Sequence, residues 1–329
     1  MIERVVRGQF PRMVRTKPLG ITISKKHILK FICCLLPLLL MIGCNEQPKA
    51  KSAGQKGGQE ILRIGLIPEI DIFAQKKRYE PLAKYLESKM GVAIELKVLP
   101  HYGNIIDNFV SEGLDGAFFG SFTGALAIKK LGVTPLVRPE DREGTSTYYG
   151  MVFVRKDSHI KSAADMKGKR FAFVDKATTA GWLLPLHFFK EWGITDYQHW
   201  FAETYFAGTH KDAIYDVLDR KADMGSAKNT VFYKLAGQDS RILNDLEILG
   251  ASVPVPENTL AVRPGLDERL VLQLKKTLLV MDQDPEGKVV LAHFGAARFI
   301  ETTTADYNVV LDYAQHIGLN LDNYEDLNN

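Results

Sequence analysis

Strand-like and helix-like segments alternate along this chain from Ile61 onward, and this alternation constrains the fold more than any other feature. The apolar run 61–67 predicts a strand, and the periodic apolar positions of 78–90 predict a helix that Gly91 ends. Repeated strand–helix–strand units favour parallel sheets flanked by helices. The sequence therefore predicts an α/β fold.

The same pattern extends through the rest of the chain in two groups of elements. The first group contains predicted strands at 93–99 and 115–119 and helices at 102–112 and 121–131. The second group contains strands at 170–174, 201–206 and 222–226 and helices at 181–192, 210–218 and 229–236. A strand at 259–262 and helices at 266–281 and 304–317 end the chain.

Two segments, around 147–156 and around 251–262, have the character of crossings between lobes. Two crossings imply a discontinuous first lobe, formed by 61–150 and 259–329, and a continuous second lobe, 151–258. In such sheets ligands bind beyond the carboxyl ends of the strands. We therefore expect the binding site in the cleft between the lobes.

The amino-terminal segment predicts export from the cytoplasm. Eight basic residues precede the apolar run 31–42, which is shorter than the roughly 20 residues that span a bilayer. A basic flank with a short apolar core is typical of a secretory signal. The run ends in Met41-Ile42-Gly43-Cys44, which resembles a bacterial lipobox. We expect 1–43 to be a signal peptide and Cys44 to be lipidated, with an ordinary signal or an anchor helix as the alternatives.

Residues 44–60 are rich in Gly, Lys and Gln and predict a flexible tether between the lipid anchor and the lobes. Translation starts at Met1 or Met13, and the pattern leaves this choice open. The expected location is the periplasm or the cell envelope, with the lipid on Cys44 as the one membrane attachment.

Charge and cysteine content exclude several classes of function. The sequence has 42 basic and 39 acidic residues, of which eight basic and one acidic residue precede Cys44. The remaining 34 basic and 38 acidic residues give a net charge of −4. This balance gives no argument for nucleic-acid binding. All three cysteines lie at or before Cys44, so the exported body has no disulfide and no cysteine-based metal site or nucleophile.

Polar side chains recur where a predicted strand hands over to a helix or to a crossing: Tyr102, Ser121, Tyr148, Thr178, Thr179 and His210. Helix starts present free N–H groups and the positive end of a dipole, which suit an anion. Converged on one point, these groups would surround a tetrahedral oxyanion with neutral donors, so few Lys or Arg side chains are needed. Taken singly, each has a structural alternative as a helix cap, a strand residue or an interfacial aromatic.

Motifs of the common enzyme classes are absent, since the chain has no GxGxxG, GxxxxGK[ST], GxSxG or HExxH sequence. Thr179 and His210 form a conceivable nucleophile–base pair, but no carboxylate is placed to orient the histidine. We expect a protein that is not an enzyme and has no metal or cofactor. His187 and His316 show no ligand spacing, and Trp182, three residues after the threonine pair, is a candidate wall of the cleft.

Several motifs together resemble the phosphate/phosphonate-binding family of ABC-transporter substrate-binding proteins over about residues 60–300. They are ILRIGLIPE, HYGNIID, VRKDSHIKSAADMKGKRFAFVD, TTAGWLLP and FAGTHKDAIYDVL. The resemblance implies the two-lobed type II periplasmic-binding-protein fold, with a mostly parallel sheet in each lobe. It also implies that the phosphoryl oxygens are held by Tyr102, Tyr148, Thr178, Thr179 and His210.

Two positions depart from members of that family that bind aminoalkyl ligands. Such members place acidic residues near the ligand's ammonium group, whereas the corresponding residues here are Thr230 and Asn258, with Glu257 next to the latter. The motif also has Thr178-Thr179-Ala180 where Ser-Thr-Ser is usual. Phosphate, phosphite or a small alkylphosphonate therefore fits better than an aminoalkylphosphonate.

The resemblance implies a receptor that delivers a phosphorus oxyanion to an ABC permease in the inner membrane, and we expect it to act as a monomer. A receptor for another ligand on the same fold remains one alternative. A periplasmic sensor component that reports its ligand to a signalling kinase remains the other.

Overall fold

The first part of the chain alternates strands and helices in the computed structural model, which describes residues 60–67, 72–99 and 104–325. The elements are β1 (Ile61–Leu66), α1 (Ile72–Met90), β2 (Ala93–Val98), α2 (Ile105–Ser111), β3 (Gly116–Phe119), α3 (Ser121–Leu131) and β4 (Thr134–Glu140). β1 pairs in parallel with β2 on one side and with β3 on the other. The carboxyl ends of these three strands therefore share one edge of the sheet.

A second group of elements follows the first crossing. It consists of β5 (Thr147–Tyr148), β6 (Gly150–Arg155), α4 (Ala163–Met166), β7 (Arg170–Phe173), α5 (Leu184–Glu191), α6 (Tyr197–Trp200), β8 (Glu203–Phe206), α7 (His210–Leu218), β9 (Met224–Lys228), α8 (Asn229–Ala236), α9 (Arg241–Asp245) and β10 (Leu246–Ala251). A π-helical turn, Thr179–Leu183, precedes α5. Five of the strands form a sheet in the order β10-β6-β9-β7-β8.

The chain then returns to the first sheet and completes it. The remaining elements are β11 (Val255–Pro256), β12 (Thr259–Val262), α10 (Glu268–Leu279), α11 (Pro285–Phe294), β13 (Arg298–Glu301) and α12 (Asn308–His316). β12 lies antiparallel between β3 and β4, which gives the order β13-β4-β12-β3-β1-β2. β5 and β11 pair with each other, with Tyr148 opposite Val255, so the two crossings run side by side.

The predicted fold class is confirmed, since helices flank two separate sheets. The sheets are mixed, however. β1 pairs in parallel with β2 and β3, and β7 pairs in parallel with β8 and β9. The other strand pairs of both sheets are antiparallel and join segments that are distant in the chain. The sequence patterns missed β4, β10, β13 and α11. They also placed the start of α1 at Arg78, whereas this helix begins at Ile72.

Aromatic packing fills the core of each sheet. In the first, the Tyr79 ring packs edge-to-face against Phe118 and Phe294, with centroids 5.0 Å apart in both pairs. In the second, the Trp182 ring lies 4.8 Å from Phe173 and 5.4 Å from Phe206. Trp182 is 6% exposed, so it belongs to this core and is not a wall of the cleft.

The carboxyl-terminal helix α12 also contacts elements that follow the first crossing. The Lys190 amine donates to the His316 carbonyl at 2.6 Å, and His316 Nε2 lies 2.9 Å from a Glu191 carboxylate oxygen. The His187 ring stands 4.6 Å from that of His316, and donor atoms of His187, Glu191 and His316 lie within 4.8 Å of one another. Sequence spacing did not reveal this cluster, whose observed contacts join α12 to α5.

The signal peptide, Cys44 and the tether up to residue 59 lie outside the described residues. Within the described ranges, no helix combines the length and the apolar character that a bilayer crossing requires.

Close packing around Gly181 generates a first prediction. An added Cβ there would lie 2.7 Å from Thr178 Oγ1 and closer still to the Val174 side chain. Because overpacking a tight interior costs about 1–3 kcal/mol, Gly181→Ala should lower the free energy of unfolding by that amount. Urea denaturation followed by circular dichroism measures the change.

The matched control is Gly237→Ala. Gly237 ends α8 with φ −69° and ψ −17°, and the nearest atom to an added Cβ is the Lys234 carbonyl oxygen at 3.5 Å. Alanine adopts this conformation without strain, so stability should stay equal or rise by about 0.4–1 kcal/mol. Equal stability of the two variants would contradict the packing that we describe around the π-helical turn.

Candidate functional site

Polar residues from both sheets surround one small cavity at the carboxyl ends of their strands. The cavity has a volume of about 10 Å³, which is room for about one water molecule. Its walls comprise Ile67, Gly120, Thr123, Tyr148, Ala177, Thr178, Thr179, His210, Lys228 and Asn258. The structure thus brings together five residues that the sequence analysis named: Tyr148, Thr178, Thr179, His210 and Asn258.

The threonine pair lies in the connection from β7 to α5, and both side chains are 3% exposed. Thr178 occupies the N-cap position without capping the turn, because its hydroxyl donates to the Asp175 carbonyl at 2.6 Å. Thr179 Oγ1 accepts a hydrogen bond from the Phe122 amide at 2.7 Å. The pair therefore links the π-helical turn to the first turn of α3 and is more than a helix cap.

Tyr148 lies on β5 and is 4% exposed. Ser121 holds the Tyr148 side chain in place, because its Oγ lies 3.0 Å from the Tyr148 hydroxyl and 2.5 Å from the Pro256 carbonyl oxygen. Burial raises the pKa of Tyr148, and the charge of Lys228 and hydrogen bonds with Ser121 and Thr179 oppose this shift. The phenol consequently keeps its proton at neutral pH and can donate a hydrogen bond.

His210 is the first residue of α7 and is 4% exposed. It is not the helix cap, since Thr209 fills that role by accepting from the Asp212 amide at 3.0 Å. His210 Nδ1 accepts from the Lys228 amide at 3.3 Å. An imidazole whose Nδ1 accepts carries the proton of its neutral form on Nε2, so Nε2 is the donor of this ring.

Lys228 brings a positive charge to the cavity wall. It ends β9, is 4% exposed, and its Nζ lies 2.7 Å from a Glu257 carboxylate oxygen and 3.4 Å from Asn258 Oδ1. The same amine stands 4.3 Å from the centroid of the Tyr148 ring, which is within the range of a cation–π contact. Sequence reasoning expected neutral donors here and missed Lys228. The available signal was its position two residues after the predicted strand 222–226, which does not indicate that the side chain is buried.

Asn258 contributes an amide to the same wall and is 6% exposed. Its backbone N–H donates to the Glu257 carboxylate at 3.1 Å. Its side-chain Nδ2 is buried and has no hydrogen-bond partner among the described residues. Since buried donors are nearly always paired, this group is suited to donate to a bound acceptor.

A larger cleft of about 550 Å³ adjoins the small cavity, because Lys228 and Asn258 line both. Thr230 lies on this larger cleft, is exposed, and does not line the small cavity. Three other basic residues, Lys77, Arg78 and Lys234, also line it. The larger cleft is therefore open, and its lining combines these basic side chains with the carboxylates of Asp141 and Glu257. Tyr102, which the resemblance places at the site, lies outside the described residues.

Comparison with known proteins shows to which family this architecture is similar. Residues 64–307 match the family described as "ABC transporter, phosphonate, periplasmic substrate-binding protein". A phosphate-import protein, PhnD, of Mycolicibacterium smegmatis is 28% identical over 60% of this chain, and the match spans 64% of that protein. The phosphonates-binding periplasmic protein of Escherichia coli is 24% identical over 73% of this chain and 72% of its own length.

Solved structures show the same fold at low identity. PhnD1 from Prochlorococcus marinus, in complex with methylphosphonate, has a TM-score of 0.70 at 21% identity and covers 78% of this chain and 97% of its own. A binding-protein component of an ABC phosphonate transporter from Pseudomonas aeruginosa has a TM-score of 0.72 at 20% identity. The match covers 79% of this chain and 87% of that protein. Since the family match extends over most of the described chain, the protein belongs to the phosphonate family of ABC-transporter periplasmic substrate-binding proteins.

Proposed function

We propose that this protein captures a phosphorus oxyanion, namely phosphate, phosphite or a small alkylphosphonate, and delivers it to an ABC permease in the inner membrane. The observation that carries the proposal is the convergence of buried donors on one small cavity. The Tyr148 phenol, the His210 Nε2 and the Asn258 Nδ2 are donors of three different side chains. Lys228 adds one positive charge within the same wall.

A tetrahedral oxyanion matches such a site for electrostatic reasons. Hydrogen bonds to a charged acceptor are shorter and roughly twice as strong as those to a neutral one. The names of the relatives agree with this chemistry, since they refer to phosphate import, to phosphonates and to a phosphite-binding protein.

The size of the cavity supports a clamshell. Space of about 10 Å³ accommodates about one water molecule, so an oxyanion enters when the walls separate. We propose that one lobe consists of residues 61–150 together with 259–329 and that the other consists of 151–258. The paired crossings β5 and β11 would form the hinge between them. Hinges are typically a few strand-end or loop residues of this kind.

Further parts of the proposal concern the cell envelope. The protein acts as a monomer held to a membrane through a lipid on Cys44, with residues 1–43 removed. It binds no nucleic acid and catalyses no reaction.

A receptor for another ligand on this fold, or a sensor component feeding a signalling kinase, remains a second candidate. Neighbouring genes for a permease and an ATPase favour transport, whereas a histidine-kinase gene favours sensing.

The buried donors generate a prediction on affinity. His210→Ala and the double variant Thr178→Ala/Thr179→Ala should each weaken methylphosphonate binding about ten- to a hundredfold, since a hydrogen bond to a charged group contributes on the order of 1.5–3 kcal/mol. Isothermal titration calorimetry measures the dissociation constants.

His199→Ala is the matched control, because the His199 side chain is 86% exposed and pairs locally with Asp196. It should bind like the unmodified protein. A loss below threefold in both site variants would mean that the oxyanion binds elsewhere.

The lipobox-like segment generates a prediction on attachment. Cys44→Ser should leave an uncleaved precursor or release soluble protein, because a lipoprotein needs the thiol for its acyl chains. Membrane fractionation and mass spectrometry of the mature protein measure the outcome. A variant that stays membrane-bound with an unchanged mature mass would show that Cys44 carries no lipid.

A further inference from the structure

The ion pair between Lys228, which is buried, and Glu257, which is partly buried, lies where the small cavity meets the larger cleft. The two side chains are 5% and 17% exposed, and their charged atoms lie 2.7 Å apart. Removing two ions from water carries a desolvation penalty, which such a pair offsets only with good geometry and further contacts. Asn258 and the Tyr148 ring supply those contacts to Lys228.

The position of the pair is informative. Lys228 lines both the small cavity and the larger cleft, whereas Glu257 lines the larger cleft alone. The pair therefore stands where a substituent on a phosphoryl group would leave the small cavity. A ligand that carried an ammonium group at this point would face the charge of Lys228 and a carboxylate that already has a cation.

We propose that Lys228 occupies the place of a ligand's cation: it pairs with Glu257 from within the protein and thereby restricts the ligand to phosphoryl compounds without a cationic substituent. This inference rests on the proposed function and names the specificity determinant of that site. Lys228 attracts the oxyanion directly, and it acts on substituent choice by neutralising Glu257. Without Lys228, Glu257 would be a partly buried carboxylate without its cation, which is a binding site for an ammonium group.

The test compares methylphosphonate with 2-aminoethylphosphonate by calorimetry. The unmodified protein should bind methylphosphonate at least about tenfold more tightly, the equivalent of one close charge interaction. In Lys228→Met, methylphosphonate should weaken by about tenfold or more and 2-aminoethylphosphonate should strengthen, so that the preference reverses. A preference that stays within about threefold of the original ratio would overturn the inference.

Three further variants separate specificity from folding. Lys234→Met removes an exposed lysine of the larger cleft and should leave the ratio unchanged. Lys228→Arg keeps the charge and should keep the preference for methylphosphonate. The double variant Lys228→Met/Glu257→Gln leaves no unpaired buried charge, so it should fold, and its ratio should approach one. A double variant that retains the original ratio would also overturn the inference, even where Lys228→Met alone is unfolded.

The outcomes also distinguish this inference from the proposed function. Failure of the unmodified protein to bind phosphate, phosphite and methylphosphonate would refute the function itself. Binding of these anions, together with a ratio that does not respond to Lys228, would refute only the role of the ion pair. Thermal melts of each variant show that the compared proteins are folded.

Discussion

Buried polar groups are costly unless each finds a partner, and this constraint governs the space between the two sheets. Lys228 on β9 pairs with Glu257 and Asn258 of the second crossing and packs on the Tyr148 ring of β5, which leaves Asn258 Nδ2 without a partner among the described residues. The pairing of β5 with β11 makes this possible, since it fixes the two crossings side by side. The pairing of β5 with β11 thus contributes both to the fold and to the placement of the site residues.

The contact between Thr179 and Phe122 is one of the interactions that connect the two groups of elements at the site. The Thr179 Oγ1 accepts from the amide at the start of α3, although the two residues belong to different predicted lobes. The π-helical turn that presents Thr179 depends in turn on Gly181, because a larger residue would collide with Val174. A glycine of the π-helical turn therefore positions a hydroxyl of the cavity.

Sequence patterns predicted the alternating elements well because their apolar periods are regular, and they failed where local signals conflicted. β4 carries Pro135 and Pro139, which argue against an interior strand, yet it lies between β12 and β13. A register shift in β12, between Leu260 and Ala261, accompanies this pairing. The helix α11 is an exception, because the patterns missed it although Pro285 stands at its first position after an Asp284 cap and Gly295 stands at its end.

The site was foreseeable in outline because side chains at the carboxyl ends of strands meet at one edge. Lys228 was not foreseeable, since its burial depends on Glu257 in the second crossing, and no local pattern announces that contact. Thr230 was expected at the site by counting along the chain, but the first turn of α8 directs it to the larger cleft. A contact between distant segments therefore decided the position of Lys228, and the local start of α8 decided that of Thr230.

A crystal structure of the protein with methylphosphonate tests the central claim most directly. We expect the phosphoryl oxygens within hydrogen-bond distance of Tyr148, His210 and Asn258, and the methyl group directed past Lys228, with Lys228 still paired to Glu257. A ligand bound only among the basic residues of the larger cleft, or a Lys228 amine that has left Glu257 with the carboxylate turned to the ligand, would contradict the account.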